Sequence, residues 1–332
     1  MTRPVAISSV GSALPERIVT NDELATRVDT TDEWIVGRTG IRARRFASGE
    51  ESASGLAAQA ATAALEAAKV DPAGVDLLVV ATVSGDRPLP STASFVQAEL
   101  GMRGAAFDLA AGCAGFVYAL SVAGSMIASG AAETALVVGT EVLSRFLNFD
   151  DRSTCVLFGD GAGAVVLRPS DEPGLLGTVL DNDGSHATLL TIPAGGSAQP
   201  VTADAIANRD HLIHMADGRE VYRRAVLAMT EACSTLLDKT GVAADELTWL
   251  VPHQANVRII RGVADRLGFP MDRVWVDLER VGNTSAASVP IALDHAWRAG
   301  KLTPGDLVMT VAFGAGLAWG ANLIRWTAEA PR

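Results

Sequence analysis

The segment FDLAAGCAGFVYAL at residues 107–120 has a counterpart in LERVGNTSAASVPIAL at residues 278–293. Each copy contains a glycine, one polar residue of a type used in catalysis, several small residues and then a helical pattern. The preceding segments repeat as well, because AALEAAKVDPAGVDLLVVATV at 63–83 is matched by TLLDKTGVAADELTWLVPHQ at 235–254. Self-similarity over this length predicts that the chain contains one structural unit twice.

The two copies also end in the same way, each with a strand followed by a glycine-rich strand pair. ALVVGT at 135–140 precedes FGDGAGAVVL at 158–167, and DLVMTVA at 306–312 precedes FGAGLAWGANLI at 313–324. Alternating helices and apolar strands predict a duplicated α/β protein whose mixed sheets are covered by helices on both faces. RPSDEPG at 168–174 is the best boundary, so we expect an N-terminal half at 1–173 and a C-terminal half at 174–332.

Charge and composition exclude several classes of protein. The 332 residues carry a formal net charge of −11, which disfavours nucleic-acid binding. The uncharged run at 109–132 is as long as a membrane span but consists largely of Ala, Gly and Ser, so we expect a buried helix and no membrane. Three cysteines are too few for a disulfide framework. Together with an N-terminus that lacks a signal-peptide pattern, this favours the reducing cytoplasm.

Cys113 is the candidate nucleophile. It lies in Ala-Gly-Cys-Ala-Gly at the start of a predicted helix. The N–H groups and dipole of a helix N-terminus stabilise a thiolate, and the glycines let a substrate approach the sulfur. The alternative role is that of a small buried hydrophobic residue. Cys155 and Cys233 have apolar contexts without flanking glycines, so we expect both to be structural.

His253 and Asn283 are the candidate partners of Cys113. His253 directly follows a predicted strand, and loops at the carboxyl ends of strands carry the chemistry of α/β proteins. Asn283 falls on Cys113 when the two copies are aligned, and two facing halves would bring these loops together. An amide donor beside a Cys and a His suits an oxyanion or an enolate. A structural histidine and a turn asparagine are the alternatives.

The segment DTTDEWIVGRTGIRARR, which begins at residue 29, predicts a helix that opens with a capping box, Thr30-x-x-Glu33. Trp34 and Arg38 are four residues apart and therefore share a helix face. An indole plane beside a guanidinium suits an adenine ring and a phosphate. The alternative is a solvated helix with one packed tryptophan.

Together these motifs resemble the β-ketoacyl-acyl-carrier-protein synthase III family, condensing enzymes of the thiolase superfamily. DTTDEWIVGRTGI, the Gly-Cys-Ala-Gly-Phe block, FGDGAGA, VPHQAN, GNTSAAS and FGAGLAWG follow the family's order over essentially the whole chain. The resemblance implies a duplicated thiolase-like fold of five αβαβα layers and a homodimer. It also implies decarboxylative Claisen condensation of an acyl-CoA starter with malonyl-acyl-carrier protein. No metal and no cofactor are expected, because acyl-CoA is a substrate.

The resemblance assigns roles to individual residues. Cys113 would accept the acyl group, His253 and Asn283 would stabilise the enolate, and the backbone N–H groups of Cys113 and Ala315 would bind the second oxyanion. Leu89 and Phe313 would belong to the acyl pocket. The coenzyme A and pantetheine path would comprise Thr30, Trp34, Arg38, Arg152, Phe158, Gly218, Arg219, Tyr222, Asn256 and Arg258. The candidates for docking the acidic carrier protein are Arg223, Arg258 and Arg266.

Related activities predict different sequences. A thiolase would carry a second Cys where this chain has FGAGLAWG, and an elongating synthase would carry a second His in place of Asn283. Two alternatives stay open: a starter-unit acyltransferase that does not decarboxylate, disfavoured by Asn283, and a non-catalytic partner subunit, disfavoured by Cys113. Leu89, in SGDRPLPS, is smaller than the Phe of acetyl-preferring members. It predicts propionyl to hexanoyl starters, while the choice between fatty-acid and polyketide synthesis stays open.

Overall fold

The structure is a computed structural model that describes residues 3–329, so both outer ends of the predicted halves (1–2 and 330–332) lie outside the described residues. The strands are β1 (Val5–Ala13), β2 (Ile18–Thr20), β3 (Ala43–Arg45), β4 (Leu77–Ala81), β5 (Ala105–Leu109), β6 (Ala135–Glu141), β7 (Gly161–Pro169), β8 (Leu175–Asn182), β9 (Leu190–Thr191), β10 (His214–Met215), β11 (Trp249–Pro252), β12 (Leu307–Gly314) and β13 (Ala318–Arg325). The α-helices are α1 (Asn21–Ala25), α2 (Asp32–Thr39), α3 (Ala53–Ala68), α4 (Thr92–Leu100), α5 (Gly115–Ala128), α6 (Arg152–Cys155), α7 (Ala203–Ala207), α8 (Gly218–Thr240), α9 (Val257–Leu267), α10 (Leu278–Val281) and α11 (Ser288–Arg298).

Two large sheets repeat one strand order. The first sheet runs β1-β7-β6-β4-β5 and the second runs β8-β13-β12-β11. In the first sheet β4 pairs in parallel with both β5 and β6, and the pairs β6–β7 and β7–β1 are antiparallel. In the second sheet β11 and β12 are parallel, and the pairs β12–β13 and β13–β8 are antiparallel. The fifth position of the second sheet is reduced to one parallel bridge between Leu250 and Val274. The duplication predicted from the sequence is therefore confirmed in the topology.

Helices cover and separate the two sheets. α3 and α4 pack on the first sheet, and α8 packs on the second with α9 beside it. α5 and α11 lie between the sheets, because each contacts strands of both. The order of layers is helices, sheet, helices, sheet, helices, which confirms the αβαβα architecture.

Strand β6 shows how one segment serves two layers. Its seven residues are all buried. Ala135 and Val137 join the apolar cluster around the central helices, whereas Leu136 and Val138 join the cluster under α3. Successive side chains of a strand point to opposite faces. A strand buried on both faces is therefore apolar along most of its length, as ALVVG at 135–139 is.

The backbone corrects the alignment of the two copies by three residues. The 3₁₀ turns Gly112–Ala114 and Ser285–Ala287 lead into α5 and α11, and each begins at positive φ, +53° at Gly112 and +48° at Ser285. This match pairs Cys113 with Ala286 and not with Asn283. The sequence alignment was misled because a glycine precedes both Cys113 and Asn283.

The remaining predictions about organisation have mixed outcomes. The boundary between residues 173 and 174 falls in the loop between β7 and β8, and the division into halves there stays a prediction. The segment at 193–205 is largely an exposed loop, but α7 begins inside it at Ala203. Most of the uncharged run forms α5, which is buried between the sheets. Across residues 3–329, no helix combines the length and the apolar character needed to cross a bilayer.

Candidate active site

Cys113 lies on the 3₁₀ turn at the N-terminus of α5 and is 8% exposed. Glycines let the loop after β12 press against this turn. A Cβ atom on Gly112 would come within 2.7 Å of the Ala315 nitrogen, and one on Gly314 would overlap the Cys113 nitrogen. The predicted oxyanion donors, the backbone N–H groups of Cys113 and Ala315, therefore belong to two interlocked segments.

His253 follows β11 and is fixed from both sides. Its backbone N–H donates to the Val311 carbonyl over 2.8 Å, and its ring Nδ1 lies 2.6 Å from Ser288 Oγ. Ser288 Oγ accepts a long 3.4 Å bond from the Gln254 N–H, so its hydroxyl proton is available to Nδ1. Burial lowers the pKa of His253 to about 3, so the ring is neutral at pH 7. A neutral ring that accepts at Nδ1 carries its proton on Nε2.

Asn283 is held by the backbone on one side and by its own side chain on the other. Its N–H donates to the Leu157 carbonyl over 2.8 Å, and its carbonyl accepts from the Gly159 N–H over 2.9 Å. The side-chain Oδ1 accepts from the Ser285 N–H over 2.9 Å. Because the amide oxygen is engaged in this way, the amide NH₂ is the group that can donate to a substrate.

The thiol of Cys113 has an unfavourable setting for ionisation. Burial raises its pKa to about 12, and the polar side chain of neighbouring Ser285 opposes that rise. Glu141 at the end of β6 lies behind Ser285, whose hydroxyl donates to Glu141 Oε1 over 3.0 Å. Neither Ser285 nor Glu141 was singled out from the sequence. The one available signal was a carboxylate at the end of the otherwise apolar ALVVGTE strand.

A cavity of about 1060 Å³ brings the predicted residues together. Cys113, His253 and Asn283 line it, with Phe158 and Phe313. Of the ten residues assigned to the coenzyme A path, nine are on its wall: Trp34, Arg38, Arg152, Phe158, Gly218, Arg219, Tyr222, Asn256 and Arg258. Thr30 is not among the lining residues, whereas Thr39 is.

The mouth of this cavity is formed by aromatic and basic side chains. The guanidinium carbons of Arg38 and Arg152 lie 4.7 Å and 5.0 Å from the centre of the Trp34 ring. Asn256 Nδ2 donates to the Arg38 carbonyl over 3.1 Å, and Arg258 donates to the Gly37 carbonyl over 2.9 Å. These bonds join the start of α9 to the end of α2.

The capping box at Thr30 was wrong by one residue. Thr31 is the N-cap of α2, and its hydroxyl accepts from the Trp34 N–H over 3.2 Å. The two threonines are adjacent and stand just before Asp32 and Glu33, so the sequence alone favours neither strongly. The helix itself and the shared face of Trp34 and Arg38 are confirmed.

A second cavity of about 650 Å³ also reaches Cys113. Its wall is largely apolar and includes Leu143, Phe158, Leu190, Ile213 and Ala315. These side chains come from separate loops and turns, and their convergence was not predicted. The structure places Phe313 in the larger cavity, while Leu89 lines neither cavity of its own chain and is 84% exposed.

The other thiols have different surroundings. Cys155 and Cys233 are buried and are not among the residues that line either cavity. Burial raises the pKa of Cys155 to about 11 and that of Cys233 to about 12. Within residues 3–329, no group of three or more His, Cys, Asp or Glu side chains lies together to hold a metal ion.

The predicted docking arginines lie on neighbouring helices. Arg223 is on α8, and Arg258 and Arg266 are on α9; all three are exposed, and the two helices pack together. Arg223 is paired with Glu220 through bonds of 2.9 Å and 2.6 Å, so part of its charge is already compensated.

Two family models match the chain. The model for 3-oxoacyl-[acyl-carrier-protein (ACP)] synthase III matches residues 107–184, and the model for its C-terminal part matches residues 237–326. The first match contains Cys113, and the second contains His253 and Asn283.

Relatives align over nearly the full length. The β-ketoacyl-[acyl-carrier-protein] synthase III of Symbiobacterium thermophilum is 49% identical over 326 residues, which is 98% of each chain. That of Roseiflexus sp. RS-1 is 49% identical over 330 residues, 99% of this chain and 100% of the relative.

Solved structures superpose equally broadly. The 3-oxoacyl-(acyl carrier protein) synthase III of Pseudomonas aeruginosa PAO1 has a TM-score of 0.92 at 44% identity, covering 99% of this chain and 100% of that one. The priming β-ketosynthase of the R1128 polyketide pathway has a TM-score of 0.91 at 38% identity, covering 100% of this chain and 98% of that one.

Proposed function

The chain belongs to the 3-oxoacyl-[acyl-carrier-protein] synthase III family, and from this we propose that it condenses an acyl-CoA starter with malonyl-acyl carrier protein through an acyl thioester on Cys113. The observation that carries the proposal is one cavity that holds a buried thiol, an imidazole and a side-chain amide. The reaction needs a nucleophile for the first step and hydrogen-bond donors for the second.

Binding of the starter uses the length of the larger cavity. The adenine stacks at Trp34, between the guanidinium groups of Arg38 and Arg152, and the pantetheine extends inward to Cys113. The bonds of Asn256 and Arg258 to the end of α2 support this arrangement, because they hold both rims of the mouth together. The acyl chain occupies the apolar 650 Å³ cavity on reaching the sulfur.

In the first half-reaction the Cys113 thiolate attacks the thioester carbonyl. Coenzyme A leaves, and the acyl group remains on sulfur. The N-terminus of α5 favours the thiolate through its N–H groups and dipole. The backbone N–H groups of Cys113 and Ala315 stabilise the oxyanion, which their interlocked segments support.

In the second half-reaction malonyl-acyl carrier protein loses carbon dioxide. His253 donates from Nε2 and Asn283 donates from its amide to the thioester carbonyl, which becomes an enolate oxygen. The carbanion then attacks the acyl-Cys113 carbonyl and releases the β-ketoacyl product. Neutral His253 and the engaged Oδ1 of Asn283 support these roles.

Acyl transfer without decarboxylation is the second candidate function. It needs the nucleophile and the oxyanion donors but no enolate donor. Asn283 is 5% exposed and its oxygen is fixed by Ser285, so its NH₂ is oriented toward the cavity that Cys113 lines. An amide held in this way favours the condensing reaction.

Asn283→Ala separates the two functions. We expect the variant to keep acylation of Cys113 by acyl-CoA and to lose about 10²–10³ in the rate of condensation, the usual effect of removing one such donor. Single-turnover acylation and condensation are measured separately by mass spectrometry of Cys113 and of the carrier protein. An equal loss in both steps would contradict the assignment of Asn283 to the enolate.

Membership of this family also suggests how the enzyme assembles and where it works. We propose a homodimer in the cytoplasm without a cofactor, since acyl-CoA is itself a substrate. Three cysteines without disulfides support the reducing compartment. Arg258 lines the larger cavity and Arg266 is exposed in the last turn of the same helix, α9, which supports docking of an acidic carrier protein there.

A further inference from the structure

The reaction requires a group that accepts the Cys113 proton, and His253 is poorly suited to it. His253 must keep its Nε2 proton to donate to the enolate, and Nδ1 is occupied by Ser288. A second polar chain leads away from the thiol on the opposite side. Cys113 and Ser285 lie on two 3₁₀ turns that contact each other and line the same cavity, and the Ser285 hydroxyl donates to Glu141 Oε1 over 3.0 Å.

Glu141 is fully buried and is built into the site as a carboxylate. Its Oε2 accepts from the Ser84 hydroxyl over 2.5 Å, from the Val83 N–H over 3.2 Å and from the Thr82 hydroxyl over 3.3 Å. The Val142 N–H donates to Ser84 Oγ over 2.8 Å, which orients that hydroxyl toward the carboxylate. Since these contacts are donors, they hold an ionised acceptor in place without a cationic partner.

We propose that Ser285 and Glu141 form a proton relay that serves Cys113, with Ser285 next to the thiol and Glu141 acting through it as a positioning and proton-holding residue. This inference rests on Cys113 being the nucleophile of the proposed function. It adds a base for the first half-reaction and an acid for the second.

The relay balances protons across the cycle. The Cys113 S–H bond breaks, its proton moves to Ser285 Oγ, and the Ser285 hydroxyl proton moves to Glu141. The thiolate attacks the acyl-CoA carbonyl, and the coenzyme A thiolate leaves and takes a proton from water. When the malonyl-derived carbanion later displaces Cys113, the sulfur recovers its proton from Glu141 through Ser285.

The pKa of Glu141 is lower than that of Cys113, so the relay takes the thiol proton as the sulfur attacks the thioester and does not build up a resting thiolate. Burial raises the pKa of Glu141 to about 7, so the carboxyl group can both take and return a proton near neutral pH. The titratable side chains on the elements around it include Cys113, Asp86 and Asp160. Asp86 follows Ser84 in the same loop and is bound by the Ser54 N–H and hydroxyl. Asp160 precedes Gly161, the β7 partner of Glu141; burial raises its pKa, and its carboxylate accepts from the Ser144 N–H and hydroxyl.

The test measures the rate at which iodoacetamide alkylates Cys113, read on the Cys113 peptide between pH 5 and pH 9. In the wild type we expect the rate to level off as Glu141 ionises near pH 7. Glu141→Gln and Ser285→Ala should each lower the rate at pH 7 by about 10²–10⁴ and abolish this plateau. Thr82→Val, which removes another hydrogen bond to the same carboxylate, should keep the plateau and move it to higher pH.

The opposite electrostatic role predicts the opposite sign. The negative charge of Glu141 raises the pKa of Cys113. If Glu141 acted only through this charge, Glu141→Gln would lower the pKa of Cys113 and speed its alkylation. Equal or faster alkylation in Glu141→Gln would overturn the relay. A role for His253 as the base would appear as normal rates in both relay variants and a loss in His253→Ala.

Two controls separate a failure of the relay from other outcomes. The first detects a loss of folding, and the second shows whether the relay operates even if the proposed function is wrong. Malonyl-acyl carrier protein decarboxylation needs His253 and Asn283 but no thiol, so the relay variants should retain it if they fold. Alkylation of Cys113 requires no condensation activity, so it reports on the relay even if the reaction proposed for the enzyme is wrong. Retained decarboxylation with an unchanged pH profile of alkylation would refute the relay alone.

Discussion

At the scale of single residues, the site depends on polar groups whose burial sets their protonation. Burial lowers the pKa of His253 and raises that of Glu141, because removal from water destabilises the charged form of each side chain relative to its neutral form. The neutral imidazole can donate without a net charge, while the carboxyl group titrates near the working pH. The two shifts have opposite consequences for stability as pH changes.

The pH dependence of stability tests the buried carboxylate. Glu141 has a folded pKa of about 7 against an ordinary 4.5, so the folded state binds more protons in that window. Its protonation therefore contributes up to ~3 kcal/mol to the free energy of unfolding below pH 4.5, and this contribution is lost as the pH rises to 7. His253 contributes in the opposite sense, since its folded pKa of about 3 lies below 6.5 and stability is lost as pH falls between them.

Glu141→Gln should remove only the part of the pH dependence of unfolding that comes from the Glu141 carboxyl group. We expect the free energy of unfolding of the variant, relative to wild type, to rise between pH 5 and pH 7 and then level off. Denaturant titrations at several pH values measure it, and any fixed cost of the amide cancels in the trend. A difference that does not change with pH would mean that Glu141 is not buried with a raised pKa.

Residues whose type and sequence neighbours are distinctive could be predicted from the sequence. Residues whose role depends on contacts with side chains far away in the sequence could not. Cys113 was identifiable from flanking glycines, and His253 from its place after a strand. Ser285 and Ser288 lie in the already noted GNTSAAS, but serines in a turn have many roles. Only the fold brings one of them to the thiol and the other to the imidazole.

At the scale of elements, the decisive feature is the close approach of two glycine-containing segments. The turn that carries Cys113 at the start of α5 meets the loop between β12 and β13, and Gly314 leaves no room for a Cβ beside the Cys113 nitrogen. Strand and helix patterns predicted both elements. The interlock itself could not be predicted, because it joins residues about 200 positions apart through backbone shape alone.

Gly314→Ala tests the interlock. The new methyl group would displace the Cys113 turn, so we expect the free energy of unfolding to fall by roughly 1–3 kcal/mol and Cys113 acylation to slow. Gly196→Ala is the matched control, since a Cβ there would meet nothing within 4 Å. Thermal unfolding and acylation rates are compared for both. Wild-type acylation in Gly314→Ala would show that the loop does not hold the nucleophile.

At the scale of the whole molecule, the site draws on both copies of the repeated strand order. Cys113 precedes α5 beside the first sheet, whereas His253 follows β11 of the second sheet and Asn283 follows α10, and segments from both copies contribute to the walls of the two cavities. The repeat in the sequence predicted a duplicated unit with mixed sheets covered by helices, and the family resemblance implied the five layers. It could not predict the smaller cavity, whose walls come from loops that differ between the copies.

The exposure of Leu89 gives a prediction at this scale. Val83 lines the smaller cavity and lies in the same loop, between β4 and α4, as Leu89, which is 84% exposed in a single chain. In a homodimer, Leu89 of the partner subunit would close that cavity with a smaller side chain than Phe. We expect a preference for propionyl to hexanoyl starters, since each buried methylene adds about 0.8 kcal/mol.

Competition between acetyl-, butyryl- and isobutyryl-CoA at equal concentration measures this preference through the adducts on Cys113. Leu89→Phe should shift the profile toward acetyl. Ile18→Phe, which enlarges another exposed apolar residue away from both cavities, should not. Predominant acetylation of the wild type, or an unchanged profile in Leu89→Phe, would rule out the proposed role of Leu89.

The most direct test of the whole account is the fate of the acyl group on Cys113. Incubation with acyl-CoA should add one acyl mass to the Cys113 peptide, and malonyl-acyl carrier protein should then remove it as β-ketoacyl-acyl carrier protein appears. Cys113→Ala should form neither adduct nor product, because Cys155 and Cys233 lie outside both cavities. An adduct on either of those cysteines, or condensation by Cys113→Ala, would contradict the account.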